Sequence, residues 1–80
     1  MDSEVAQLRL PPHSVEAEQS VLGGLLLNNS TWEDIADIIN DDDFYRHDHR
    51  LIWQHISILL RAGKPADALT VKDALQLAGR

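Results

Sequence analysis

The sequence predicts an all-α domain, a small orthogonal bundle of about four main helices with no sheet. Three observations predict it. The stretch Arg46–Ala62, RHDHRLIWQHISILLRA, places Ile52, Trp53, Ile56, Leu59 and Leu60 on one broad face when stepped at about 100° per residue. Leu51, Ile58 and Ala62 widen that face, and only His47, Arg50, Gln54, Ser57 and Arg61 form a polar strip. An apolar arc that wide belongs to a central helix with more than one neighbour. Helix start and stop residues also bracket three further amphipathic stretches. Finally, no stretch alternates with period two, so no strand is expected.

Met1–Leu10 is a polar lead, and with Pro11–Pro12 it is expected to form a flexible segment over residues 1–13. Ser14 is a good N-cap for a first helix over Val15–Leu27, with Glu16 in the turn where the helix dipole favours negative charge. Val15, Val21, Leu22, Leu25 and Leu26 share its apolar face, and Glu18 falls in the middle of that face. The favoured reading puts Glu18 at the rim, snorkelling or paired with an arginine. The alternative is a buried carboxylate pinning two helices, which is costly unless fully hydrogen-bonded. Gly23–Gly24 inside the helix costs roughly 1 kcal/mol per glycine relative to alanine. Ser20 and Gly23 would let another helix approach closely.

Asn28–Asn29 breaks the first helix. Ser30 and Glu33 read as a capping box opening a second helix over Thr31–Ile39, with Trp32, Ile35, Ala36 and Ile39 as its buried stripe. Asn40–Asp43 ends it, and Phe44–Tyr45 forms an aromatic plug before the central helix. Gly63 stops that helix and Pro65 blocks its continuation. Thr70 with Asp73 resembles a second capping box, opening a last helix over Val71–Ala78 that Gly79 closes. The expected core is Leu22, Leu25, Leu26, Ile35, Phe44, Ile52, Trp53, Ile56, Leu59, Leu60 and Leu75.

Eighty residues make one small domain with a thin stability margin. There is no cysteine, hence no disulfide and no thiolate metal site. The start lacks the apolar segment of a signal peptide, and no apolar run approaches the roughly 20 residues of a membrane span. A cytoplasmic location is expected. The net charge is −6. Asp2, Glu4, Glu16, Glu18, Glu33, Asp34 and Asp37 stand against Arg9 alone, and only the stretch from Leu51 onward is mildly basic. Clustered Lys and Arg to neutralise phosphates are missing, so no direct nucleic-acid binding is expected.

Chemistry-bearing motifs are weak. Gly63-Lys64-Pro65 echoes the end of a phosphate loop, but the upstream glycine is missing and proline stands where Ser or Thr would hold Mg²⁺. His47-Asp48-His49 is not a metal cluster on a helix, because residues two apart do not face one another. His49 falls on the apolar face, where a hydrogen-bonded core histidine is the favoured reading, and His55 is read likewise. Asp41–Asp43 lacks the alternating spacing and glycine of a calcium loop. No catalytic, cofactor-binding or metal-binding residue is assigned.

Three motifs in order carry a resemblance. Pro11-Pro12-His13-Ser14-Val15-Glu16-Ala17-Glu18-Gln19-Ser20-Val21-Leu22-Gly23 closely resembles the opening of bacterial replicative DNA helicases of the DnaB family. Asp43-Phe44-Tyr45, followed by His49, Ile52 and Trp53, is similar to that family's D-F-Y-x-x-x-H-x-x-I-aromatic block. Gly63-Lys64-Pro65-Ala66-Asp67-Ala68-Leu69-Thr70-Val71 resembles its G-x-P-x-D-x-(apolar)-T-(apolar) block. The match runs from about Leu8 to Arg80.

The resemblance implies a parent protein that is a hexameric ring unwinding the replication fork with ATP. It implies that residues 14–80 are the helical head of its N-terminal domain. The ATP, Mg²⁺ and DNA sites would belong to a RecA-like C-terminal domain, and a helical hairpin would follow the head. Implied partners are the helicase-binding domain of the primase, other protomers of the ring, and loader or inhibitor proteins in the bacterial replisome. Small departures are Ala66, Ala68 and the doubled Gly24, which are expected to loosen packing.

A contact site should be polar, exposed and dispensable to the core. Glu16, the Asp41, Asp42 and Asp43 turn, and the Arg50, Gln54 and Arg61 strip qualify. Ser14, Glu18, Gly23, Phe44, His49, Ile52, Trp53, Ile56, Gly63, Pro65 and Thr70 read as framework. Competing readings are a free-standing carrier or interaction module and a DNA-binding regulator. An acyl carrier needs a serine after an aspartate at its second helix, where this chain has Asn29-Ser30. The acidic balance argues against the regulator. An enzyme would need a pocket that this chain can hardly enclose.

Overall fold

In the computed structural model, which describes residues 14–79, the Ser14 hydroxyl accepts the Ala17 N–H at 3.2 Å and opens helix α1, Val15–Leu27. The expected flexible lead, residues 1–13, lies outside the described residues. α1 stops at Asn28, whose backbone turns extended while its N–H still reaches the Gly24 carbonyl at 2.9 Å.

The next segment departs from the predicted helix over Thr31–Ile39. A 3-10 turn, Asn29–Thr31, leads into the single α-helical turn α2, Trp32–Ile35. The Ser30–Glu33 capping box does not open it. No side chain caps α2 itself; the Asn28 side chain opens the 3-10 turn that leads into it, accepting the Ser30 N–H at 3.1 Å and the Ser30 hydroxyl at 2.6 Å. Asparagine bonds readily to the backbone two residues on, so it captures the turn before serine can. α2 ends early because the Ile38 and Ile39 N–H groups both converge on the Ile35 carbonyl at 2.9 Å. That tightening swings Ile39 into the core. Asn40 then caps a second 3-10 turn, Asp41–Asp43. Its side chain accepts the Asp42 N–H at 3.0 Å, and the Asp43 carboxylate accepts the Asn40 N–H at 2.9 Å.

The central helix α3 spans His47–Arg61. Gly63, at φ 74°, ends it with the paired bonds of a left-handed cap: the Gly63 N–H to the Leu60 carbonyl at 3.1 Å and the Lys64 N–H to Leu59 at 2.9 Å. Helix α4 runs Ala68–Leu77 and so begins before the predicted Val71. Asp67, not Thr70, is its N-cap. The Asp67 carboxylate accepts the Leu69 and Thr70 N–H groups at 3.0 and 2.9 Å, while the Thr70 hydroxyl accepts the Asp67 N–H at 2.8 Å. A carboxylate suits the positive end of the helix, and Thr70 completes the reciprocal pair from the third helical position. Asp73 takes no part.

The core is Leu22, Leu25, Ile39, Phe44, Trp53, Ile56, Ala66 and Val71, with Leu26, Ile35, Ile52, Leu59, Leu60 and Leu75 packed around it. Trp53 lies between Trp32 and Phe44, with ring centroids 4.9 and 5.3 Å away. Three expectations are corrected. Ile58 is 60% exposed and Ala62 is also exposed, because the predicted α3 face is wider than its neighbours cover. Gly23 does not admit a close helix: a Cβ there would meet no described atom within 4 Å beyond the backbone of its own helix. Ala66 does not loosen the packing, since it is fully buried and both its backbone groups are held by Asn29. The Asn29 amide donates to the Ala66 carbonyl at 2.7 Å and to Leu25 at 2.7 Å, and its oxygen accepts the Ala66 N–H at 3.0 Å. One side chain thereby ties the end of α1 to the approach to α4. Among the described residues there is no strand, and no helix is long and apolar enough to cross a membrane.

Candidate functional site

Glu18 is the residue on which the sequence reading most needs correcting. It is not at the rim and does not pair with an arginine side chain. It is fully buried between α1 and the start of α3. One carboxylate oxygen accepts the Tyr45 N–H at 2.6 Å; the other accepts the Arg46 N–H at 3.4 Å and meets His49 Nδ1 at 2.6 Å. An ionised carboxylate can only accept, so His49 carries its proton on Nδ1. Arg46 is the N-cap of α3 and its own side chain caps nothing. The Glu18 carboxylate, supplied from another helix, instead takes the N–H groups of Tyr45 and Arg46 at the helix entrance, where the dipole favours negative charge, while Asp48 takes the His49 N–H of the first turn. Burial pushes the Glu18 carboxyl up; the His49 hydrogen bond and the two backbone N–H groups outweigh it, and the net result is below the usual carboxylate range. No buried side-chain nitrogen or oxygen among the described residues lacks a partner. The sheltered reading of His49 therefore holds, and its bond is to Glu18. His55 bonds the Leu51 carbonyl at 2.9 Å.

Asp48, beside this knot, faces outward. It holds Arg46 through two bonds of 2.9 Å and accepts the His49 N–H at 2.9 Å. His47 is exposed, Asp48 is bound to Arg46 and His49 is turned inward, so the three consecutive residues point to separate tasks.

The surface candidates divide. Asp41, Gln54 and Arg61 come together along one open groove of about 440 Å³ between the Trp32–Asp41 segment and α3. Trp32, Ala36, Ile39 and Trp53 also line it, and Gln54 Nε2 donates to the Asp41 carboxylate at 2.8 Å. Arg50 is drawn off, its Nε donating to the Phe44 carbonyl at 2.6 Å. Asp43 is engaged by the Asn40 N–H. Asp42 and Glu16 are exposed and line neither this groove nor a second one. The second, more apolar groove is lined by Leu26, Ile52, Ala68, Val71, Lys72, Leu75 and Gln76.

The sequence reading missed Asn28, Asn29 and Asp67. Asp67 had a signal: Asp followed three residues on by Thr is a capping pattern that begins one turn before Thr70-Asp73. Asn28 had a weaker one in the turn preference of asparagine. Asn29 had none, because its partner Ala66 is remote in sequence.

Gly63 and Lys64 cannot cradle a phosphate here. Their N–H groups are already consumed by the last carbonyls of α3. Among the described residues, no group of three or more His, Asp or Glu is placed to hold a metal ion.

Residues 10–80 match the family described as DnaB-like helicase N terminal domain. The chain is 44% identical over 78 residues to the replicative DNA helicase DnaB of Buchnera aphidicola from Acyrthosiphon pisum, covering 98% of this chain and 17% of that protein. It is 46% identical over 78 residues to the Haemophilus influenzae protein of the same name, with the same two coverages. To the Pasteurella multocida protein it is 49% identical over 67 residues, covering 84% of this chain and 14% of the relative.

Proposed function

The chain belongs to the family of DnaB-like helicase N-terminal domains, and from that premise we propose that it is a non-catalytic contact domain of a replicative DNA helicase. In this reading it helps to arrange the protomers of a hexameric ring and receives the primase in the bacterial cytoplasm. The longer protein would unwind DNA with ATP and Mg²⁺ bound outside this stretch.

One observation carries the reading. Glu18 and His49, the buried polar side chains of the core, face each other and the backbone. They hold the fold and are not presented to a substrate. What the domain offers a partner is its surface, and of the contact candidates Glu16, Asp41, Asp42, Gln54 and Arg61 are exposed or half-buried polar groups there. Steering by such rim charges acts mainly on the rate and specificity of encounter.

The test is titration of this domain with the helicase-binding domain of a primase, followed residue by residue by NMR. Shifts are expected at Glu16, Asp42 or the Asp41–Gln54–Arg61 groove. No shift at high concentration would exclude primase contact through this stretch.

A further inference from the structure

We draw no further inference here: the strongest candidate, the open apolar groove between α1, α3 and α4 whose lining includes Leu26, Ile52, Val71 and Leu75, is an unpartnered face, and nothing in the structure shows what covers it.

Discussion

Glu18 and Asp48 both accept hydrogen bonds at the amino end of α3, one reaching in from α1 and fully enclosed, the other standing on α3 itself with its side chain 57% exposed. At Asp48 the two-bond grip on Arg46, opposed by desolvation, takes the carboxyl down to about 2. Glu18 is lowered too, but against the opposing effect of its burial. The two have very different structural value. An exposed ion pair is screened by water and salt and stabilises little. A buried carboxylate with three partners joins two helices, and removing it takes the acceptor from the buried His49 ring and from two backbone N–H groups at the edge of the core. The depth of the carboxylate, not the size of its pKa displacement, decides what the fold depends on.

The largest expected effect breaks that comparison at Glu18. Glu18→Ala should cost roughly 3–5 kcal/mol, enough to unfold much of so small a domain, as read by urea denaturation. Ile56→Ala, at a fully buried apolar site of α3, should cost roughly 2–5 kcal/mol and serves as the benchmark. A Glu18→Ala variant clearly milder than Ile56→Ala would show that the polar knot is not what anchors α3.

Acid sharpens the same point. The folded-state pKa of Glu18 is below the unfolded value of about 4.5, so the unfolded chain binds the proton more readily. The Glu18 contribution is therefore fully present above pH 4.5 and is lost as pH falls through the lowered folded value. Asp48 follows the same sign over the window from 3.8 down to about 2, with a smaller contribution because it is exposed. Thermal melts across this range should show Tm falling below pH 4.5 for the wild type.

The smallest effect is at Asp48. Asp48→Ala at neutral pH should shift Tm by a few degrees at most, and by less in high salt. A loss comparable to that of Ile56→Ala would make the exposed clasp, rather than the buried one, the closure of this helix end.

Much of the fold is legible along the chain because its signals are local. Ser14 and Gly63 act within a few residues of themselves, and both do what their types predict. The apolar face of α3 likewise needs only a period. The errors lie where two local signals compete. Ser30–Glu33 lost to Asn28, and Thr70–Asp73 lost to Asp67–Thr70, because a helix start goes to the side chain best able to satisfy its first N–H groups. The surface candidates were legible as polar strips, but not as a groove. Asp41 and Gln54 share one hydrogen bond across a turn that the sequence does not reveal, and Arg50 was taken by a carbonyl of the aromatic plug.

By itself, then, the sequence determined an all-helical chain, the span of its central helix, most of its core and, through three blocks of motif, its kinship. These follow from periodicity, capping and residue identity, which are properties of neighbours along the chain. Only the tertiary structure decided that Glu18 is buried, that Asn29 grips Ala66, and that Asp41 and Arg61 line one groove. A carboxylate on an apolar helix face can be at a rim or in a core. Which it is depends on whether distant residues, here Tyr45, Arg46 and His49, bring enough donors to offset the loss of water.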